Sequence, residues 1–123
     1  MDAEKTVRAY LDAMERRDLA AAKALLAPGF YMVFPGNKRF DSLEQLVDWA
    51  KGRYRRALKK YDLYETSGNT VYCFGTLYGE LLDGTPYSGI RFIDRFTVKD
   101  GRLVVQMVWN DMAEVLGPKL RAL

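Results

Sequence analysis

Two hydrophobic periods divide this chain. Up to about residue 61 the apolar positions recur every three to four residues, as on one face of a helix, and from about residue 62 to 109 they alternate as in strands. Val7, Tyr10, Leu11 and Met14 predict a first amphipathic helix over residues 3–16. Asp18 is placed to cap a second, LAAAKALL, which Pro28 and Gly29 end. The short run FYMVFP, closed by Pro35-Gly36, reads as an edge strand or extended segment. Ser42 and Gln45 make a capping-box pattern that opens a third helix from Leu43 to about Tyr61, with Leu43, Leu46, Val47, Ala50, Tyr54 and Ala57 on one face.

Beyond that helix, alternating runs at about 62–67, 70–82, 87–98 and 102–109 are separated by Gly68-Asn69, Asp83-Gly84 and Asp100-Gly101, dipeptides suited to hairpins. Helices followed by a strand meander predict an α+β domain, with helices on one face of a curved antiparallel sheet. The whole of residues 1–123 reads as a single domain, long enough for one real core and too short to expect two.

The strand pattern contains one conspicuous conflict. In RFIDRF, Asp94 shares a face with Ile90, Phe92, Phe96 and Val98. An unpaired carboxylate among hydrocarbon is costly, so Asp94 must reach solvent, be paired with an Arg or Tyr, or be held neutral for use. In the last strand Leu103, Val105, Met107 and Trp109 form the expected inward face, and two further residues of extension would bring Asp111 onto it. Asp111 is equally placed to cap the following MAEVL. Between Val71 and Leu82 either parity fits: one turns Glu80 inward, the other puts Cys73, Gly75 and Gly79 there and leaves more room.

Composition narrows the chemistry. The chain has no histidine and one cysteine, Cys73, which removes Ser-His and Cys-His nucleophile pairs, an internal disulfide and any recognisable zinc site. Proton transfer then falls to Asp, Glu, Tyr, Lys or Cys. No glycine-rich phosphate loop is present, so no cofactor and no metal are expected. Much of the net charge of +3 lies in KGRYRRALKK, residues 51–60. On a helix that stretch would be a solvated face beside the stripe of Ala50, Tyr54, Ala57, Leu58 and Tyr61, and nucleic-acid binding is not expected. The amphipathic N-terminal segment lacks the apolar core of a secretion signal and no segment is long enough to span a membrane, so the expected location is cytoplasmic.

The order of elements, with VRAYLDAMERRDLAAAKALLAPGF, FIDRFTVKDGRLV and VWND, resembles the nuclear transport factor 2-like superfamily, which includes ketosteroid isomerase, limonene epoxide hydrolase and the SnoaL-like polyketide cyclases. That resemblance implies a cone-shaped barrel, a curved antiparallel sheet wrapped on N-terminal helices. Tyr10 and Asp94 fall on the positions of the ketosteroid isomerase tyrosine and aspartate that hold an oxyanion, the aspartate being kept protonated by its apolar site. The isomerase's general base precedes a proline, and Phe34 before Pro35 stands there instead, which leaves Asp111 as the substitute proton carrier and Glu80 as a weaker one. Asp94 and Asp111 also resemble the two acids of limonene epoxide hydrolase, but Phe92 occupies the arginine position of its Arg-x-Asp strand.

The resulting expectation is a deep pocket lined by Met14, Phe34, Trp49, Tyr54, Phe92 and Trp109, with Tyr10, Asp94 and Asp111 as the catalytic set. It would bind a small apolar carbonyl-bearing or polycyclic molecule and could isomerise, cyclise or hydrolyse it without a cofactor. The alternative is a non-catalytic ligand-binding or interaction module in which Asp94 is a satisfied structural acid. Arg91, Ile93, Arg95 and Thr97 on the outer parity suit a homodimer contact through the sheet, as is common in the superfamily.

Overall fold

The computed structural model describes residues 2–121. Helix α1 (Ala3–Glu15) and the short α2 (Leu19–Lys23) lead into strands β1 (Leu26–Phe34) and β2 (Lys38–Phe40). Helix α3 (Leu43–Lys51) precedes the four long strands β3 (Tyr54–Ser67), β4 (Thr70–Leu81), β5 (Pro86–Lys99) and β6 (Arg102–Asn110), and α4 (Met112–Arg121) follows. The expected α+β class, with N-terminal helices and a curved sheet, is observed.

The six strands form one open sheet in the order β2-β1-β6-β5-β4-β3, so the wall is not a closed barrel. Every neighbouring pair is antiparallel except β1 and β6, which run parallel. β1 therefore lies inside the sheet. The expectation of an edge strand at FYMVFP is corrected: the edge role passes to the three-residue β2, and β1 pairs on both sides.

The helix-start signals act where they were read, but the second helix stops at Lys23, short of Pro28 and Gly29, which lie within β1 instead of ending the helix. Asp18 Oδ1 accepts from Ala21 N at 3.0 Å and Ser42 Oγ from Gln45 N at 3.2 Å, each satisfying an amide that a helix start leaves bare. Asp100 and Gly101 both adopt positive φ, 52° and 73°, the geometry of the tight β5–β6 hairpin.

The largest departure is in residues 52–61. The helix expected to reach Tyr61 stops at Lys51, with Gly52 as its cap, and Tyr54–Ser67 is a strand paired with β4 from Tyr54↔Leu81 to Ser67↔Thr70. A long ladder with β4, which otherwise would be left as a bare edge, outweighs a local helical preference. The basic stretch is consequently strand: Lys59 faces in with Ala57 and Tyr61, opposite Leu77, Gly79 and Gly75, while Lys60 faces out over the Tyr78 ring.

A bulge decides the parity of β6. Thr97 pairs with Val105 but Val98 with Leu103, so Val104 is an extra residue on β6. Every side chain beyond it changes face. Leu103 is buried as expected, but Gln106 and Val108 take the inward face and Trp109 is 49% exposed. On β4 the roomier parity holds, with Val71, Cys73 and Leu77 buried.

The core fills the concave side of the sheet. Val7, Tyr10, Leu11 and Ala13 of α1 pack on Phe30 and Met32 of β1 and on Ile90, Phe92 and Phe96 of β5. Tyr10 meets Phe96 edge-on at 5.9 Å and Phe30 at 6.2 Å.

Candidate functional site

Between α1, α3, α4 and the concave sheet lies a cavity of about 800 Å³. Two glycines shape its sheet wall. A Cβ on Gly75 would come within 1.9 Å of Lys60 O and 3.0 Å of the Phe92 ring, and one on Gly79 within 2.1 Å of Arg56 O, so β3 can fold tightly over β4 only because both lack side chains. Gly117, on α4, borders the cavity beside Met112 and Leu120.

One wall is aromatic. Phe34 meets Phe40 at 5.4 Å and Trp49 at 5.9 Å, Trp49 meets Tyr54 at 6.2 Å, and Tyr54 meets Tyr87 at 6.0 Å. Tyr87 is fixed by donating its hydroxyl to Arg56 O at 3.0 Å. These contacts tie β1, β2, α3, β3 and β5 together along one side.

The opposite wall carries the charge. Asp94 is fully buried, and Lys59 Nζ lies 2.5 Å from its Oδ2. The register explains the meeting. Lys59 is opposite Leu77 on β4 and Asp94 is opposite Cys73, and Gly75 lies between those two on the same face, leaving space for the lysine to cross. Nζ also lies 5.0 Å from the centre of the Phe92 ring, a cation-π contact. Among the described residues nothing donates a hydrogen bond to Asp94 Oδ1. The residue chosen from the strand pattern is thus paired, as one reading required, but to a lysine instead of an Arg or Tyr.

Tyr10 also borders the cavity and is 1% exposed. Its hydroxyl lies 3.4 Å from Gln106 Oε1 and 4.0 Å from Met32 Sδ. Burial, and then the nearby Asp94 charge, push the phenol well above its usual range, as they do for Tyr61, so both remain protonated donors. Burial pushes the Cys73 thiol up to about 12. It is a core group and not a nucleophile.

Of the residues named from sequence, Tyr10, Met14, Phe34, Trp49, Tyr54, Phe92 and Asp94 border the cavity. Trp109 and Asp111 do not. The bulge turns Trp109 to the convex face, where Arg95 lies over its ring at 5.5 Å, and Asp111 pairs with the exposed Arg91, Nε to Oδ2 at 2.6 Å. Asp111 O accepts from Val115 N at 3.0 Å and Asn110 Oδ1 from Met112 N at 3.0 Å, so these residues start α4. Glu80 is paired with Arg55 at 3.5 Å, outside the cavity wall. Sequence reasoning missed Lys59 and Gln106. Lys59 was hidden by reading residues 52–61 as helix, although Lys59 and Tyr61 alternate with Leu58 and Lys60; Gln106 was hidden by the bulge. Among the described residues no group of three metal-ligating side chains occurs, and no helix is long and apolar enough to cross a membrane.

A family model described as the SnoaL-like domain matches residues 7–106, most of the chain. The chain belongs to the SnoaL-like domain family. Similar solved structures include a nuclear transport factor 2-like protein of unknown function from Burkholderia pseudomallei, at 21% identity over 98% of each chain with a TM-score of 0.84. TerC, co-crystallised with polyporic acid, is 16% identical over 98% of each chain with a TM-score of 0.83. A SnoaL-like polyketide cyclase assignment attaches to a protein from Jannaschia that is 18% identical, with 93% of this chain and 88% of that one covered and a TM-score of 0.78. At these identities the structures share the fold with this SnoaL-like chain. Among curated proteins none matches.

Proposed function

We propose that this SnoaL-like domain binds a small apolar carbonyl-bearing molecule, such as a fused-ring ketone, and acts on it by cofactor-independent acid-base chemistry. The observation that carries the reading is the Lys59–Asp94 pair set into the wall of a largely apolar cavity of about 800 Å³. Ligand pockets typically occupy about 300–1,000 Å³ and use few polar groups to orient their contents. Relatives of the same fold point in the same direction: TerC was crystallised with polyporic acid, and the Jannaschia protein carries the polyketide cyclase assignment.

Lys59 is the donor that meets the ligand's oxygen. Its side chain is 26% exposed while Asp94 is closed off, so the ammonium is the member of the pair that a ligand reaches. When a proton leaves the carbon beside the carbonyl, negative charge gathers on that oxygen, where a fixed ammonium in a dry site stabilises it most. Asp94 aims the ammonium and balances its charge. Of the two carboxylates that border the cavity, Asp94 is closed off and spent on Lys59, so Glu15 at the exposed rim is the one a ligand reaches and the acceptor for the proton. Tyr10 is a second, protonated donor on the same side.

Titration with phenols of increasing acidity, which imitate an enolate, tests this reading through the fluorescence of Trp49 in the aromatic wall. Saturable binding that tightens with phenol acidity and is lost in Lys59→Met is expected. Equal binding of phenols and of plain hydrocarbons of the same size would refute an oxyanion site.

The convex face supports a further proposal, a homodimer through the sheet. Ile93 is 39% exposed and Trp109 49%, neighbours across the β5–β6 pair. Large apolar side chains in register on an open sheet suit a partner better than water.

A further inference from the structure

We infer that the ligand carries an anionic group, most simply a carboxylate, which stays at the cavity mouth while its apolar body and carbonyl lie inside; this rests on the carbonyl-binding reading of the same cavity. The side chains bordering the cavity are sorted by depth. Inside are the aromatic wall and the Lys59–Asp94 pair, and the exposed border carries Arg17, Lys51 and Arg55, with the half-buried Arg53, against one acid, Glu15.

Two of these cations are unspent. Arg55 is paired with Glu80, and Arg53 lies 4.6 Å over the Trp49 ring. Arg17 bonds only to the Met14 carbonyl, and neither it nor Lys51 forms an ion pair among the described residues. The two come from different elements, the α1–α2 turn and the end of α3, yet border one opening. Like charges brought together around an apolar opening repel in the empty protein, and an anion between them relieves that repulsion and gains attraction. The inner ammonium cannot play this part, because Asp94 already balances it. A ligand matched to both ends is therefore an oxo acid: carbonyl oxygen at Lys59, hydrocarbon against Phe34, Trp49 and Phe92, carboxylate at Arg17 and Lys51.

The test compares naphthoylpropionic acid, an aryl ketone with a carboxylate tail, with its methyl ester by fluorescence titration and calorimetry. At low salt the acid is expected to bind at least about tenfold more tightly than the ester, a preference that shrinks as salt rises through 0.15 M, on the order of the concentration that screens exposed charges. In Arg17→Gln/Lys51→Gln the acid should fall to the affinity of the ester, which itself should not change. Lys60→Gln, which removes a cation from the outer face of β3, should leave the preference intact. Equal binding of acid and ester to the parent protein overturns the oxo-acid inference while leaving the carbonyl site standing. So does a preference that Lys60→Gln reduces as much as the mouth variant does, since that reports net charge alone. Binding of neither compound, together with no phenol binding, overturns both proposals.

Discussion

Lys59 on β3 reaches across the intervening strand to Asp94 on β5, Nζ to Oδ2 at 2.5 Å, over a stretch of β4 that Gly75 leaves bare. Removing one member of a buried pair strands the other, which typically costs about 3–5 kcal/mol, whereas replacing both by hydrocarbon is often neutral. Lys59→Met and Asp94→Leu are each expected to lose stability on the order of 2–4 kcal/mol, reduced from the full range because Lys59 is partly exposed, and Lys59→Met/Asp94→Leu to lose less than their sum. Chemical denaturation of the four proteins measures this; additive losses would show that the two groups do not interact.

Gly75 should tolerate no side chain. Its Cβ would sit 1.9 Å from the Lys60 carbonyl oxygen, a backbone atom that cannot swing away. Gly75→Ala is expected to cost about 2–3 kcal/mol or more and to weaken ligand binding, because the adjustment must open the β3–β4 ladder beside Lys59. A Tm within about one degree of the parent would contradict it.

The two tryptophans should report different events. Trp49 borders the cavity and Trp109 lies on the convex face. Trp109→Phe is expected to keep the fluorescence change on phenol binding, and Trp49→Phe to abolish it. Asp111→Asn, which breaks only an exposed pair with Arg91, should change affinity less than twofold, in keeping with the small worth of surface ion pairs.

Ile93→Asp in the middle of the exposed β5–β6 face should shift the protein toward monomer in light scattering at micromolar concentration while leaving the circular dichroism spectrum unchanged. An unchanged mass for the variant would remove the sheet face as the contact.

Stability should fall in alkali between about pH 9 and 12. The Cys73 thiol ordinarily loses its proton near 9.0 and in the fold only near 12, so across that window the unfolded chain holds fewer protons than the folded one. Rising pH then favours unfolding, and the buried thiol's contribution, complete below 9, is gone once pH passes 12. Cys73→Ala should flatten the decline in thermal melts over that range. Its thiol should also resist Ellman's reagent until the protein unfolds, since it is fully buried.

Local chemistry determined a good deal from sequence alone. The helix starts at Asp18 and Ser42, the hairpins at Gly68-Asn69, Asp83-Gly84 and Asp100-Gly101, the helices-then-meander order, and the inward Asp94 all depend on residues within a few positions of one another. Only the tertiary structure decided the rest. Residues 54–61 satisfy a helical stripe and a strand equally well on their own, and the ladder with β4 chose the strand, which made Lys59 an inward cation where a solvated helix face had been expected. One extra residue at Val104 then reversed β6, exchanging Trp109 and Asp111 for Gln106, Val108 and Asn110 in the cavity wall. Strand pairing and bulges are set by a partner far along the chain, and face parity, having a period of two, is inverted by a single inserted residue. The fold was therefore legible from local pattern, whereas the partner of the buried Asp94 was not.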